Sequence, residues 1–413
     1  SKEEAKACVK AYKMHLMNKY YKKGIDKDKG YAEYENLYYN PQPQVSFTVM
    51  DQYTGYVKAV VGGRGKKNVS LSLNRATDST RQPGSTFKIL SAYAPAIDTM
   101  GYTLSTTIVD EPFSYSNGRA VKNWYRGKVT VRKAIADSMN ICAVKTLTDI
   151  TPQLGYDYLC NFGITTLVDN RVEKNGSVSS DIQQALALGG ITDGVTNLEM
   201  TAAYATIANQ GTYTRPVFYS QVIDSNGRVL LDNTTPTTHT VLKASTASLL
   251  TQGMTSVITE GTGTSAKLDG KMPVSGKTGT TSSEYDLWFC GYTPYLTASI
   301  WTGYDENVSL SGDQAYHERL WAKIMNQIDS VKKYKAKSFK MSKDVKKYDI
   351  CSSSGKVAIK GVCPTSKSEY FAKGTQPAKC TYHSAFSKKS SSYSNSSSSS
   401  GSYSSSGSSS SSS

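Results

Sequence analysis

The sequence predicts a fold of the α/β or α+β class in which distant parts of the chain complete one sheet. Apolar and polar residues alternate over Val45 to Gly63, which is the two-residue period of a β-strand. Several stretches with helical spacing of apolar residues follow, and strand-like segments return only after about residue 270. The order of strands, helices and strands therefore favours a sheet built from both ends of this region.

Each predicted element has a local signal. Turn residues at Asp51–Gly55 divide the first alternating stretch and predict a β-hairpin. "STFKILSAYAPAID" follows a Pro-Gly pair and predicts a helix with Ser85 near its first turn. Helical spacing continues in "VTVRKAIADSMNICAVKTL" and in "LEMTAAYATIANQG", where Gly211 marks the end of the helix. The late strands are predicted in "MPVSGKTGTT", "DLWFCGYTP" and "LTASIWTGYD".

Composition divides the chain into four parts. Its 413 residues are 38% hydrophobic and 20% charged, which is enough for one large or two ordinary globular domains. We expect a helical remnant and linker at 1–43, a globular domain at 44–330, a lysine- and cysteine-containing extension at 331–389 and a disordered serine-rich tail at 390–413.

Two features of the sequence bear on whether it contains a membrane anchor. No apolar run in the sequence reaches the ~18 residues that a membrane-spanning helix needs. The chain opens on Ser1 and shows no signal peptide. We therefore expect an upstream part, including a membrane anchor, that this chain does not contain.

The chain is basic, with 48 Lys and Arg against 33 Asp and Glu and a formal net charge of +15. Eight lysines crowd one late stretch: Lys332, Lys333, Lys335, Lys337, Lys340, Lys343, Lys346 and Lys347. Such a surface attracts nucleic acid, anionic lipid headgroups or acidic wall polymers. Because no zinc-finger spacing or RNA-binding signature accompanies the charge, we expect no nucleic-acid partner. A solvated lysine-rich segment and an extension that associates with wall polymer both remain open.

The seven cysteines give little indication of a metal site. Three of them, Cys351, Cys363 and Cys380, cluster late in the chain, with His383 close behind. The absence of a Cys-x-x-Cys pair argues against zinc, and one disulfide among the three is an alternative if the protein works outside the cytoplasm. We expect neither a metal nor a cofactor.

A nucleophile and its base are suggested by "RQPGSTFK", which places Ser85 and Lys88 three residues apart. On a helix these positions share a face, so the amine can reach the hydroxyl. The positive end of the helix dipole would disfavour an ammonium and support an oxyanion. The four histidines lie outside any stretch that resembles a site, so a lysine base is preferred to a Ser-His-Asp triad. Two later Ser-x-x-Lys matches, at Ser330 and Ser353, lie where composition alone produces them.

Two further motifs follow in order along the chain. "DSMN" supplies Ser138-x-Asn140, and "SGKTGTT" supplies Lys277-Thr278-Gly279-Thr280. Ser-x-Asn is weak alone, because Ser72-Leu73-Asn74 also matches, but that copy precedes Ser85. The Lys-Thr-Gly triplet occurs once. If the three motifs form one site, they meet only through folding.

The ordered set Ser-x-x-Lys, Ser-x-Asn and Lys-Thr-Gly resembles the signature of penicillin-binding proteins and serine β-lactamases. The flanking stretches are similar to class A penicillin-binding proteins over roughly residues 44 to 385: "NRATDSTRQPGSTFK", "NLEMTAAYATIANQGTY", "DLWFCGYTPYLTASIWTGYD" and "CSSSGKVAIKGVCP". The resemblance implies a transpeptidase domain at 44–330. It also implies a central antiparallel sheet flanked by helices, with a helical lobe.

The resemblance also implies roles for the first two motifs. Ser85 would be the nucleophile that attacks the D-Ala-D-Ala end of a peptidoglycan stem peptide, and Lys88 would be the base that deprotonates it. Ser138 would relay a proton towards the leaving D-Ala nitrogen. Asn140 would hold the substrate amide and the side chain of Lys88.

The third motif would bind the substrate. Lys277 would add positive potential, which helps to keep Lys88 neutral and attracts the terminal carboxylate. The hydroxyls of Thr278 and Thr280 would hold that carboxylate, and Gly279 would let the peptide lie close to the strand. The backbone N–H groups of Ser85 and Thr280 would form the oxyanion hole.

The activity implied is a D,D-transpeptidase that cross-links stem peptides through an acyl-serine and is acylated by β-lactams. Alternatives are a D,D-carboxypeptidase, a weak β-lactamase and a non-turnover β-lactam sensor. The Glu-x-x-Leu-Asn stretch of class A β-lactamases is not found between Asn140 and Lys277, which favours the transferase. A class A protein would carry an upstream glycosyltransferase domain and a membrane anchor, and would work at the outer face of the bacterial membrane.

Overall fold

A computed structural model describes residues 2–21, 42–67, 70–122 and 125–383. The predicted serine-rich tail and most of the predicted N-terminal linker lie outside these residues. No helix within the described ranges is both long and apolar enough to cross a bilayer.

The described residues form α-helices joined by strands and short 3-10 or π-helical turns. The helices are α1 (Lys2–Tyr21), α2 (Ala94–Thr99), α3 (Val131–Ala136), α4 (Asn140–Ile150), α5 (Pro152–Asn161), α6 (Asn197–Ala208), α7 (Ala244–Glu260) and α8 (Tyr316–Lys332). The strands are β1 (Gln44–Met50), β2 (Val57–Val61), β3 (Thr107–Asp110), β4 (Gly127–Thr130), β5 (Arg171–Val172), β6 (Val178–Ser179), β7 (Thr212–Thr214), β8 (Gln221–Ile223), β9 (Val229–Asp232), β10 (Thr238–Thr240), β11 (Ser275–Thr280), β12 (Asp286–Tyr292), β13 (Thr297–Gly303), β14 (Val345–Cys351) and β15 (Thr365–Ala372).

The central sheet is antiparallel and has the strand order β11–β12–β13–β1–β2. Its early hairpin, β1 with β2, is the one that the sequence predicts. β1 also pairs with β13, with Gln44 opposite Gly303 and Met50 opposite Thr297. The mixed fold class and the completion of the sheet by distant segments are therefore confirmed.

Side chains alternate between two apolar layers, one on each face of this sheet. Phe289 and Ile300 pack on one face in a cluster that includes Trp321 of α8. Their neighbours Trp288 and Trp301 join the larger cluster on the opposite face, which includes residues of α6 and α7. Both faces of β12 and β13 are thus covered, which explains why every residue of these two strands is buried.

A helical lobe, α2 to α5, extends the larger cluster beyond the sheet. A 3-10 turn, Gly84–Thr86, and a π-helical segment, Lys88–Tyr93, lead into α2. The segment packs against α4 and α5, and the 3-10 turn packs against β11. The residues around Ser85 therefore lie between the lobe and the edge of the sheet.

The segment after α8 is folded against the rest of the domain. β14 and β15 form an antiparallel pair, and Tyr370 and Ala372 pack against the main core. Arg132 of α3 donates hydrogen bonds from Nε and Nη2 to both carboxylate oxygens of Glu369, at 2.6 Å each. The eight crowded lysines are nevertheless all exposed, so a basic surface lies on a structured segment.

Candidate active site

Ser85 lies in the 3-10 turn rather than in a regular α-helix. The sequence predicts one continuous helix, but the backbone changes from 3-10 to π to α geometry within 16 residues. Gly84 begins the turn with φ of +54°. A Cβ at Gly84 would lie 2.7 Å from the carbonyl oxygen of Thr280. Glycine therefore lets the Ser85 turn contact the backbone of β11, and Ser85 itself remains partly exposed.

The residues just before this turn are fixed by hydrogen bonds and an ion pair. Arg81 Nε donates to Asp286 Oδ1 at 2.7 Å, and the Arg81 guanidinium lies 5.2 Å from the ring centroid of Trp301. Gln82 Nε2 donates to the carbonyl of Ile191 at 2.6 Å. The backbone carbonyl of Gln82 accepts a hydrogen bond from Trp288 Nε1 at 2.9 Å. The nucleophile candidate is thus carried on a rigid support.

Lys88 is fully buried and points at the second motif. Its Nζ lies 2.5 Å from the carbonyl oxygen of Ser138, 2.6 Å from Asn140 Oδ1 and 3.3 Å from Ser138 Oγ. None of the hydrogen bonds that Lys88 makes with described residues goes to Ser85 Oγ. The amine is therefore held by Ser138 and Asn140.

The second motif occupies a break between two helices. The sequence predicts one helix here, whereas α3 ends at Ala136 and α4 begins at Asn140. Ser138 adopts φ of +57°, a left-handed conformation that is costly for a residue with a side chain. This turn directs the carbonyl and hydroxyl of Ser138 to Lys88. Asn140 Nδ2 donates to the carbonyl of Lys122 at 3.0 Å, which fixes the amide.

The third motif forms the edge strand β11. Lys277 is fully buried, and its Nζ donates to Ser138 Oγ at 2.7 Å and to the carbonyl of Thr278 at 3.0 Å. The hydroxyls of Thr278 and Thr262 are 2.7 Å apart. Ser138 Oγ is therefore shared by two lysine side chains that the sequence separates by 189 positions, Lys88 and Lys277.

Gly279 lies against the backbone of the Ser85 turn. A Cβ at this position would lie 2.7 Å from the carbonyl oxygen of Pro83 and 2.8 Å from Thr86 Cγ2. The missing side chain therefore makes room for the Ser85 turn behind the strand.

Burial changes the charge state of the two lysines. The pKa of Lys88 is lowered well below its usual value, mainly by burial and secondly by the positive charge of Lys277. Burial also lowers the pKa of Lys277 to about 7, against a smaller opposing effect of Glu318. These surroundings thus favour the neutral form of the Lys88 amine, whereas Lys277 is poised between its two charge states near pH 7.

A cleft of about 630 Å³ connects these motifs. Its lining includes members of all three motifs, residues near β11 and residues at or just before the start of α8. These are Ser85, Ser138, Asn140, Thr262, Thr278, Thr280, Thr281, Ser282, Asp313, Gln314, Ala315, His317 and Glu318. Lys88, Lys277 and Gly279 lie behind the lining. The structure thus brings together every residue that the sequence nominated.

The wall formed by α8 contains residues that sequence reasoning missed. His317 was set aside with the other histidines, yet it lines the cleft and its Nε2 lies 3.2 Å from the carbonyl of Trp288. Burial lowers the pKa of His317 to about 4, so its ring is neutral near neutral pH. Burial raises the pKa of Glu318 to about 7. The adjacent His-Glu pair at a helix start was the available signal, but nothing local connects it to β11.

No metal-ligating cluster was found among the residues that line this cleft within the described part of the chain. Three or more His, Cys, Asp or Glu side chains converge instead at Cys351, Cys363, Cys380 and His383.

Comparison with known proteins agrees with this architecture. A family model described as penicillin binding protein transpeptidase domain matches residues 45–328. A second model, described as penicillin-binding protein 1A, C-terminal domain, matches residues 341–385. Together they include the cleft and the segment that follows α8.

Two curated relatives illustrate the similarity in sequence. Penicillin-binding protein 1A of Clostridium tetani is 33% identical over 363 residues, which are 83% of this chain and 45% of that protein. Penicillin-binding protein 1A/1B of Bacillus subtilis is 31% identical over 362 residues, or 81% of this chain and 37% of that protein. The chain thus spans less than half the length of these relatives.

Solved structures share the fold. Penicillin-binding protein 1A from Haemophilus influenzae has a TM-score of 0.66 at 23% identity, covering 81% of this chain and 54% of that one. The PonA1 protein from Mycobacterium tuberculosis, solved in complex with penicillin V, has a TM-score of 0.62 at 23% identity, covering 73% and 81%. With the family model matching more than half of its length, this chain belongs to the penicillin-binding protein transpeptidase family.

Proposed function

We propose that this chain is a serine D,D-transpeptidase, which joins peptidoglycan stem peptides through an acyl-Ser85 intermediate and is acylated by β-lactams. The observation that carries the proposal is the shared position of Ser138 Oγ. It lies 3.3 Å from the buried amine of Lys88 and 2.7 Å from that of Lys277, beside a cleft that Ser85 also lines. This arrangement suits proton transfer around a serine nucleophile.

The hydrogen bonds of Lys88 support its role as a base. A neutral amine has two N–H groups and one lone pair. Its two short contacts go to the carbonyl of Ser138 and to Asn140 Oδ1, which are acceptors only. Both N–H groups are thereby used, so the lone pair is left to accept a proton from a hydroxyl. Asn140 and the Ser138 turn thus orient the base.

The first half-reaction follows from these contacts. Lys88 takes the proton of Ser85 as Oγ attacks the carbonyl carbon of the penultimate D-Ala. The N–H groups of Ser85 and Thr280 stabilise the oxyanion, and each such donor contributes about 3 kcal/mol. Collapse breaks the peptide C–N bond, and Ser138 relays the proton from Lys88 to the departing nitrogen. Free D-Ala and an acyl-serine ester result.

Lys277 and the threonines explain the preference for a terminal carboxylate. The hydroxyls of Thr278 and Thr280 line the cleft, and the Lys277 ammonium lies directly behind them. A bound carboxylate raises the pKa of this lysine and so keeps it charged. β-Lactams carry a carboxylate and a reactive acyl group, so they enter the same site.

In the second half-reaction an amine of another stem peptide attacks the ester and releases Ser85. The proposal favours the transferase over a hydrolase because the sequence lacks the Glu-x-x-Leu-Asn stretch between Asn140 and Lys277. Glu318, a carboxyl group in the cleft wall, has a raised pKa of about 7 and is half neutral at that pH.

We also propose that the chain acts at the outer face of the bacterial membrane, with an anchor and a glycosyltransferase domain upstream.

Intact-mass analysis with penicillin tests the proposal. We expect one penicilloyl adduct per chain, which Ser85→Ala abolishes. Ser330→Ala is the matched control, since Ser330 is an exposed serine of a second Ser-x-x-Lys match, and this variant should keep the adduct.

A time course then separates transferase from hydrolase. Slow loss of the adduct, with D-Ala release from a stem-peptide mimic, fits the proposal. Rapid return of the free enzyme would favour a β-lactamase or carboxypeptidase. Stable acylation without D-Ala release would favour a sensor, and failure to form any adduct would refute all three.

A further inference from the structure

Outside the cleft, the C-terminal segment gathers four potential metal ligands. Cys351, Cys363, Cys380 and His383 have their Sγ and imidazole nitrogen atoms within 4.8 Å of one another. All three cysteines are free thiols. The disulfide considered from the sequence is therefore not formed, and His383 joins the same cluster.

The distances fit a tetrahedral metal site. For Zn–S of about 2.3 Å and Zn–N of about 2.05 Å, tetrahedral angles place sulfur and nitrogen about 3.6 Å apart. His383 Nδ1 lies 3.5 Å from Cys351 Sγ and 3.6 Å from Cys380 Sγ. Thiolates and imidazole in this combination are ligands that select zinc over hard cations.

The backbone explains how residues so far apart in sequence come together. β14 ends at Cys351, and the following turn closes with Gly355 N–H donating to the carbonyl of Cys351 at 2.9 Å. Val357 then accepts a hydrogen bond from the N–H of Cys380 at 2.8 Å. The N–H of Ser352 donates to the carbonyl of Pro364, next to Cys363, at 3.0 Å. Backbone pairing thus supplies the proximity that a Cys-x-x-Cys spacing supplies in simpler sites.

Two of the sulfurs also receive hydrogen bonds. The N–H of Ile359 donates to Cys363 Sγ at 3.2 Å, and Ser354 Oγ donates to Cys380 Sγ at 3.2 Å. Donors of this kind stabilise thiolate ligands and orient them around a metal. They are an observation independent of the ligand distances.

We propose that Cys351, Cys363, Cys380 and His383 bind one Zn²⁺ as a closed structural site. Binding releases the three thiol protons, and no oxidant or reductant is required. The four ligands leave no open position, so the site has no hydrolytic role. Its effect is to fasten residues 380–383 to the end of β14. The proposal is independent of the function assigned to the cleft.

Metal content of the full chain tests this proposal directly. We expect about one zinc per chain by elemental mass spectrometry after purification without chelator, or after reconstitution with Zn²⁺ alone. Under native conditions the three cluster thiols should resist alkylation, whereas the exposed thiol of Cys160 should react. Removal of zinc by a strong chelator should expose the cluster thiols to alkylation and lower the melting temperature.

Variants provide the control. Cys363→Ser and His383→Ala should each weaken zinc affinity by more than tenfold, because the loss of even an outer-shell partner of a ligand costs about 10- to 100-fold. Cys160→Ser should keep the wild-type zinc content. If the variants fail to fold, the wild-type measurement alone decides. A wild-type chain that takes up no zinc would overturn the proposal. This holds whether the three cluster cysteines are then found as free thiols or whether the mass is lower by the two hydrogens lost on forming a disulfide.

Discussion

Lys88 and Lys277 are two buried amines that share one serine hydroxyl, and nearly everything in the proposed chemistry depends on their different charge states. Burial disfavours the ammonium form of both. The positive charge of Lys277 further lowers the pKa of Lys88, whereas Glu318 partly raises the pKa of Lys277. The same surroundings thus favour a neutral base and, in front of it, a cation that a carboxylate can stabilise.

These charge states predict a bell-shaped pH dependence of acylation. Because the pKa of Lys88 is lowered in the folded chain, the amine stays neutral where a free lysine is charged. The rate should fall only when the pH drops below that lowered value. Above about pH 7, free Lys277 loses its proton and attracts the ligand carboxylate less. The check is the second-order acylation constant for penicillin between about pH 5 and pH 9.

Lys277→Met separates the two limbs. The variant should be slower at every pH and should lack the alkaline limb, because the group that titrates there is gone. Its acid limb should move to higher pH, since the charge that lowers the pKa of Lys88 has been removed. A limb near pH 10.4, the usual value for lysine, would contradict the assignment of Lys88 as the base.

Residues with short-range signals could be predicted from the sequence, and residues with long-range reasons could not. The three motifs are recognisable because their spacing is local. His317 and Glu318 belong to the cleft because α8 packs against β12 and β13, which no local pattern reports. The approach of Gly279 to Pro83 and Thr86 is likewise a long-range contact.

Among the elements, the contact between the Ser85 turn and β11 sets the geometry of the cleft. The backbones of Gly84 and Thr280 are in contact. Gly189 also approaches Gly84, and a Cβ on Gly189 would lie 2.5 Å from the Gly84 carbonyl oxygen. Neither approach tolerates a side chain. The separation of the two proposed oxyanion donors is therefore fixed by glycine.

Gly84→Ala should displace the turn and slow acylation on the order of a hundredfold, the cost of a shift of about 1 Å at a reacting centre. Gly101→Ala is the matched control, because Gly101 also has positive φ, +70°, but no atom within 4 Å of its Cβ position. Both variants should lose about 1–2 kcal/mol of stability from the left-handed backbone, and Gly84→Ala should lose more because its Cβ would meet the backbone of Thr280. Equal acylation rates for the two variants would show that the contact is unimportant.

Helix interruptions were the main feature of the elements that the sequence did not predict. The apolar spacing of "VTVRKAIADSMNICAVKTL" continues through Ser138, so periodicity alone indicates one helix. The chain breaks there because the Ser138 turn is stabilised by contacts to Lys88 and Lys277, which lie elsewhere in the sequence. Strands β12 and β13 could be predicted because their apolar runs and turns are local.

For the molecule as a whole, the segment after α8 packs against the main core. We expect Glu369→Gln to lower stability by about 3 kcal/mol, because a largely buried guanidinium at Arg132 loses its charged partner. Thermal unfolding should show a melting temperature lower by several degrees. Glu173→Gln is the control, since its ion pair with Arg171 is exposed, and such pairs contribute little. A melting temperature unchanged in Glu369→Gln would mean that β15 is merely apposed to α3.

The composition of the segment after α8 did not predict that it packs against the core. Its exposed lysines suggested a solvated extension, but Tyr370 and Ala372 pack against the main core, at the end of a strand whose first five residues are polar. Deletion of 331–413 removes part of the core, so it cannot isolate the contribution of the basic surface. Replacement of exposed lysines is the appropriate test for salt-dependent binding to wall polymer.

The pairing of β1 with β13 has a consequence for biosynthesis. The β1–β2 hairpin leaves the ribosome long before Gly303, the partner of Gln44, has been translated. An isolated hairpin is only marginally stable in water, and its apolar side chains and unpaired edge invite aggregation. Until β13 pairs with it, the nascent hairpin therefore exposes an aggregation-prone edge, and the turn at Ser85 lacks β11, the strand that completes the cleft.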